Sequence, residues 1–102
     1  MLVLSHKASG GVRLTGGLTV TVNSVKRGRA RIACSGPGVY RRSELQSAPA
    51  GGSRTVVLTR SKGEKIVVEG LGSFTVLEFR GNRVKIGYEF PAEVQVSRFD
   101  AA

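Results

Sequence analysis

Residues 56–60 of the chain read VVLTR and repeat the pattern of residues 2–6, which read LVLSH. A shift of 54 positions aligns the two halves without a gap from Leu2 to Gly38. Eight of these 37 positions are identical, whereas unrelated sequences match at roughly one position in fifteen. The chain therefore contains an internal duplication. The identical pairs are Val3 and Val57, Leu4 and Leu58, Gly16 and Gly70, Thr21 and Thr75, Val22 and Val76, Arg29 and Arg83, Ile32 and Ile86, and Pro37 and Pro91.

Both copies alternate apolar and polar residues, a pattern typical of β-strands. The pattern predicts five strands in each copy and an all-β fold. Glycine-containing turns, KRGR at 26–29 and RGNR at 80–83, suit hairpins that need a positive φ. The alternating segments are residues 2–5, 11–14, 18–22 and 29–33 in the first copy, and 56–60, 66–68, 74–79, 83–87 and 93–97 in the second.

A copy of about 45 residues buries too little apolar surface to be stable alone. We therefore expect the two copies to share one core, as two facing sheets or a flattened barrel. The first repeat is assigned to residues 1–45 and the second to residues 55–102, in one intertwined unit. Residues 46–54, which include SAPAGGS, are predicted to be a linker, and SELQ at 43–46 permits one helical turn.

The charge of the chain favours an acidic partner. Sixteen Lys and Arg residues against seven Asp and Glu give a net charge of +9, of which residues 1–52 hold +7. Such a surplus favours nucleic acid before membrane. No segment has the ~18 consecutive apolar residues that cross a bilayer, and no secretory signal is visible. We expect no membrane partner, a cytoplasmic location, and a buried, unpaired Cys34.

Catalysis is not expected from this composition. The chain has one histidine and one cysteine, so neither a His-based triad nor a four-ligand zinc site can be built. No paired carboxylates and no phosphate-binding Walker loop occur in the sequence. We predict a protein that is not an enzyme and that needs no cofactor and no metal ion.

The second repeat resembles the carbon storage regulator family (CsrA/RsmA) of bacterial RNA-binding translational regulators. It has the opening L-T-R at residues 58–60, G-E at 63–64, and V-x-R at 96–98. The first repeat is similar but weaker. Family members form intertwined homodimers of short chains, and this sequence looks like both subunits in one polypeptide. The resemblance implies a monomer that acts as a pseudo-dimer, in which the two repeats form a pseudo-twofold barrel or sandwich with C-terminal helices largely absent.

The resemblance also implies the ligand. Family members recognise GGA in hairpin loops of mRNA or small regulatory RNA near ribosome-binding sites, and thereby repress translation. Each RNA site combines the first strand of one subunit with the fifth strand of the other. Carried over to this chain, the stronger site would contain Leu58, Thr59, Arg60, Tyr40, Arg41 and Arg42, and the weaker site Leu4, Ser5, His6, Lys7, Val96, Ser97 and Arg98.

Three departures from the family pattern affect these expectations. His6 stands where the second repeat has Arg60, so we expect the two RNA sites to be unequal. The first repeat reads Ser9-Gly10 where the second has Gly63-Glu64. The helix after the fifth strand is reduced to a few residues, which weakens the expectation that a flagellar-assembly antagonist protein binds this chain.

Two alternatives remain open on the sequence. The chain could be a decoy that does not bind RNA. It would then bind either the antagonist protein or a subunit of a natural regulator. It could instead be a basic β-barrel that binds nucleic acid without sequence preference, which predicts equal affinity for scrambled RNA.

Overall fold

Nine β-strands make up most of the residues that the computed structural model describes, which are residues 1–37, 53–68 and 71–99. No helix occurs in these ranges, and the prediction of an all-β protein is confirmed. The strands are β1 (Leu2–His6), β2 (Gly11–Leu14), β3 (Thr19–Lys26), β4 (Arg29–Pro37), β5 (Ser53–Ser61), β6 (Lys65–Val68), β7 (Gly72–Arg80), β8 (Arg83–Glu89) and β9 (Val96–Phe99).

Some predicted segments of the first repeat lie outside the described residues. They are the fifth strand, which the family resemblance places at Tyr40 to Arg42, the helical turn at 43–46 and most of the linker at 46–54. The last two linker positions belong to a strand, because β5 begins at Ser53 and pairs there with Pro37.

The strands form two antiparallel sheets, and each sheet contains strands from both repeats. The four-stranded sheet has the order β1-β8-β7-β6, and the five-stranded sheet has the order β5-β4-β3-β2-β9. Thus β1 leaves the first repeat to pair with β8 of the second, while β5 and β9 leave the second repeat to pair with β4 and β2 of the first. The two repeats exchange edge strands.

The hairpins β3–β4 and β7–β8 have the same internal register. Each contains an irregularity in its pairing, between Val22 and Ser24 in the first and between Val76 and Glu78 in the second. These positions are equivalent under the shift of 54 residues. A bulge increases the local twist of a strand, so both hairpins bend at the same point.

The turn between the first two strands of each repeat is also equivalent, although its sequence differs. The N–H of Ser9 donates to the carbonyl of Val22 (2.6 Å), and the N–H of Gly63 donates to the carbonyl of Val76 (2.7 Å). Ser9 has a φ of 73° and Gly63 a φ of 87°. Ser9 therefore adopts a left-handed conformation that favours glycine. The two turns have the same conformation although one reads Ser9-Gly10 and the other Gly63-Glu64.

The last strand begins later than the sequence pattern predicts. The alternation indicated a strand over residues 93–97, whereas β9 runs from Val96 to Phe99. A turn after Pro91, closed by the N–H of Val94 donating to the Pro91 carbonyl (2.9 Å), occupies the preceding residues. The prediction of a strand at 93–95 is therefore wrong.

The core is one cluster built from both repeats, but the repeats contribute side chains of different size. The second repeat supplies the aromatic rings of Phe74 and Tyr88, whose centroids are 5.9 Å apart. The equivalent positions of the first repeat hold the small side chains of Val20 and Cys34. The buried cluster comprises Val12, Leu14, Leu18, Val20, Val22, Ala30, Ile32, Cys34, Val56, Ile66, Phe74, Val76, Val84, Ile86 and Tyr88.

We predict that the sizes of these side chains are not interchangeable between repeats. Replacing Phe74, which is 1% exposed, with valine should lower the free energy of unfolding by about 2–3 kcal/mol, because a cavity remains. Val20→Phe should lower it by about 1–3 kcal/mol, because a filled core resists a larger ring. Urea unfolding followed by circular dichroism measures both changes.

The control variant is Val67→Ala on β6, because Val67 is 61% exposed and should cost less than about 1 kcal/mol. Unchanged stability in Phe74→Val would contradict the asymmetric core.

Candidate nucleic-acid interface

The strand β5 carries three of the predicted site residues at the edge of its sheet. Among the described strands, β5 pairs only with β4, and an edge strand presents backbone N–H and carbonyl groups to a ligand. Leu58 packs against the core, and Thr59 is exposed. Arg60 is half-buried, and its guanidinium donates to the carbonyl of Thr59 (2.9 Å). The edge therefore combines backbone groups with one fixed cation.

The Arg60 guanidinium also acts on the core thiol of the first repeat. Burial raises the pKa of Cys34 to about 11, and the positive charge of Arg60 opposes that rise. In the strand register Arg60 lies opposite the buried Ala30.

The other half of this predicted site belongs to the first repeat. Tyr40, Arg41 and Arg42 lie outside the described residues, so their pairing with β5 stays a prediction.

The structure places His6 inside the protein, not on the surface where its repeat position predicted it. Its side chain is 0% exposed, and its Nε2 is hydrogen bonded to the Tyr88 hydroxyl at 2.7 Å. The two rings meet edge to face, with centroids 6.0 Å apart. Burial raises the pKa of Tyr88, and the nearby Cys34 raises it further, so the hydroxyl stays protonated. The buried imidazole is therefore not available to contact RNA directly.

The remaining residues of the weaker site come from two sheets. Leu4 packs against the core from β1, Ser5 is half-buried on the same strand, and Lys7 is exposed just after it. On β9, the side chains of Ser97 and Arg98 are exposed, and Val96 packs against the core.

The beginnings of β1 and β9 border one groove of about 670 Å³. Leu2 lines it from β1 and Val96 from β9, and the segment around Phe90 lines it between them. Hence the structure brings the starts of these two strands to one surface, while the contact of Arg98 with a ligand stays a prediction.

A phenylalanine and an arginine fix the end of β9 on its neighbour. The Arg13 guanidinium of β2 lies 4.7 Å from the ring centroid of Phe99, a geometry that stabilises a cation by the ring's quadrupole. The register sets Arg13 opposite Ser97 and Val12 opposite Arg98. Arg13 and Arg98 therefore lie on adjacent strands, β2 and β9.

Sequence reasoning assigned no site to the β3–β4 hairpin, yet two of its cations are adjacent to β5. Lys26, Arg27, Arg29 and Arg31 are all exposed. Their charges were visible in the sequence, but only the strand order shows that Arg29 and Arg31 lie beside the predicted RNA-binding strand.

The described residues show neither a metal site nor a bilayer-spanning helix. Across residues 1–37, 53–68 and 71–99, no three His, Cys, Asp or Glu side chains lie close enough to hold a metal ion. The same ranges contain no helix that is long and apolar enough to cross a membrane.

Residues 56–101 match the family model of CsrA, described as a global regulator protein family. The matched segment is similar to this family, and it contains β6, β7, β8, β9 and all of β5 but its first residues.

The individual relatives are translational regulators. The proteins named "Translational regulator CsrA" from Thermotoga maritima and Thermotoga petrophila are each 51% identical to this chain over 43 residues. The match covers 42% of this chain and 52% of each relative, so the chain spans about half the length of the curated relatives it matches. No solved structure matches the chain.

We predict that Cys34 is almost inert in the folded protein. With a pKa of about 11, about one thiol in a thousand is thiolate at pH 8, and the thiolate is the reactive species. Alkylation by iodoacetamide at pH 8 should be at least about a hundredfold slower in the folded chain than in guanidinium chloride, where the pKa returns to its ordinary value. Mass spectrometry gives both rates. Equal rates would contradict the buried position of Cys34.

Proposed function

We propose that this chain is an RNA-binding translational regulator that recognises GGA in hairpin loops of mRNA or small regulatory RNA near ribosome-binding sites, and so represses translation. The observation that carries the proposal is the Leu58-Thr59-Arg60 segment, which belongs to the matched family region and lies on an edge strand. Splayed bases of a loop can hydrogen bond to backbone groups of such an edge. Arginine adds a planar, permanently charged donor for phosphates. Such a target implies a cytoplasmic location.

We further propose that the chain acts as a pseudo-dimer, with both halves of the regulator supplied by one polypeptide. The exchanged edge strands support this pairing, because each sheet draws on both repeats. The core supports it too. Pairing two second repeats would place two Phe74 and two Tyr88 rings in one core, whereas pairing two first repeats would leave only valine and cysteine there. One repeat of each kind combines the two large rings with the two small side chains, which suits a close-packed core.

The two RNA sites are unequal in this proposal. Arg60 remains half-buried at the edge of the five-stranded sheet, whereas its counterpart His6 is buried against Tyr88. Loss of one charge-assisted contact costs about 1.5–3 kcal/mol, or about ten- to a hundredfold in affinity. We therefore expect one tight RNA per chain, with Arg60 and the predicted Tyr40–Arg42 segment in the tight site. The weaker site would use Lys7 and Arg98.

No described feature favours the alternative of a decoy that binds a flagellar-assembly antagonist. The exposed Arg29 and Arg31 beside β5 suit a polyanion, which supports RNA as the partner.

The test is a titration with two RNA hairpins, one with GGA in its loop and one with the same loop bases scrambled, at about 150 mM salt. We expect tighter binding of the GGA hairpin with one tight RNA per chain. Arg60→Gln should weaken this binding by about ten- to a hundredfold. Fluorescence anisotropy gives the affinities and the stoichiometry.

Arg80→Gln is the matched control, because it removes one charge from the other sheet at a side chain that is 86% exposed. Its affinity should stay within about twofold of the parent. Equal binding of both hairpins by the parent would contradict the proposed recognition of GGA and favour a nonspecific basic protein.

A further inference from the structure

The tip of the β3–β4 hairpin concentrates uncompensated positive charge. We call Lys26, Arg27, Arg29 and Arg31 the basic hairpin surface; all four side chains are exposed. The ion pairs found within the described part of the chain do not involve any of these four, because they join Glu78 to Arg80 and Lys85.

Part of this surface lies on β4, next to β5, the strand that carries the proposed GGA site. On β4 the exposed Arg29 and Arg31 alternate with buried Ala30 and Ile32. The antiparallel register sets Arg31 opposite Thr59 and Arg29 opposite Ser61 on β5. Directly opposed side chains on neighbouring strands have Cβ atoms about 4.5–5.5 Å apart. A ligand that contacts Thr59 therefore lies within reach of both arginines.

The surface runs along β4 towards the tip of the hairpin and past the end of β5. From Arg31 to Arg29 the chain advances two residues, or about 7 Å at the rise of a β-strand, and β5 ends at Ser61, opposite Arg29. Lys26 and Arg27 lie at the far end, in and beside the turn. An RNA strand that leaves the loop at Thr59 can therefore pass along a row of cations.

The equivalent hairpin of the second repeat lacks this property. Its tip also carries three cations, Arg80, Arg83 and Lys85, but Glu78 lies 3.6 Å from both Arg80 Nε and Lys85 Nζ. The first repeat has Ser24 at the position equivalent to Glu78. The same backbone thus presents a partly neutralised tip on one sheet and a fully cationic tip on the other.

We infer that the basic hairpin surface binds the phosphate backbone of the double-stranded stem of an RNA hairpin whose loop is held at β5. This inference rests on the proposed function and specifies a second part of the RNA as a ligand. Double-stranded RNA is recognised mainly through its shape, its phosphates and its 2′-hydroxyls. Contacts with phosphates fix orientation without reading sequence. The surface therefore adds affinity and selects hairpins with a stem, whereas GGA is selected at β5.

The experiment compares two double variants that each remove two positive charges at equivalent positions. The test variant is Arg29→Gln with Arg31→Gln, and the matched control is Arg83→Gln with Lys85→Gln. Each is titrated with a GGA hairpin that has a stem of about eight base pairs and with a single-stranded RNA that carries the same loop sequence alone. Thermal unfolding establishes that both variants remain folded.

We expect the test variant to bind the stemmed hairpin about tenfold more weakly at about 150 mM salt, and the slope of log K against log salt to fall by about 1.5–2. Its affinity for the single-stranded RNA should fall by only about two- to threefold, because a loop at Thr59 meets part of the surface. Its preference for GGA over scrambled loops should stay within about twofold of the parent. The control variant should bind all RNAs within about twofold of the parent.

Three outcomes would overturn the inference. Equal losses in both double variants would show a general effect of net charge. Equal losses for the stemmed and single-stranded RNAs would place the contact on the loop, and no loss in the test variant would exclude the contact. Failure of the proposed function is a separate result, because the parent would then bind GGA and scrambled hairpins equally.

Discussion

The exchange of edge strands between the repeats is the constraint on which the rest of the structure depends. The strand β1 completes the sheet of the second repeat, and β5 and β9 complete the sheet of the first. Without the exchange each sheet lacks one or two of its strands, so neither repeat forms its complete sheet by itself. The exchange also gives the chain a single core, whose buried residues come from both halves. It further places Arg60 of the second repeat beside β4 of the first.

The two repeats have equivalent strands but differ in their core side chains and in their surface charge. At equivalent positions the second repeat holds large core rings where the first holds small side chains, as in Tyr88 and Cys34. The Tyr88 hydroxyl reaches His6 across 82 positions of sequence and keeps it buried. The second repeat thereby supplies the large rings of the core, while the first repeat exposes its cations on the β3–β4 hairpin. Such differences are possible in a chain with two copies, because a substitution in one repeat leaves the equivalent residue of the other repeat unchanged.

The sequence predicts the parts of this structure that depend on local pattern. Alternation of apolar and polar residues identifies the strands, and glycine at 28 and 81, with φ of 72° and 56°, marks the hairpin turns. The start of β9 could not be predicted, because Val94 continues the alternation while its N–H closes a turn with Pro91. The burial of His6 could not be predicted either, since it depends on a distant partner. The adjacency of Arg31 and Thr59 follows from strand exchange, which alternation alone does not specify.

The most direct test of the account is a disulfide across an exchanged pair within one chain. Ser5 on β1 lies opposite Lys85 on β8, and opposed residues of antiparallel strands have Cα distances of about 4.5–5.5 Å, within the range that a disulfide spans. The variant with Ser5→Cys and Lys85→Cys is oxidised and run on a non-reducing denaturing gel beside the parent. Strand exchange within the chain predicts a disulfide and the mass of one chain. A band with the mass of two chains, or no disulfide, would contradict it.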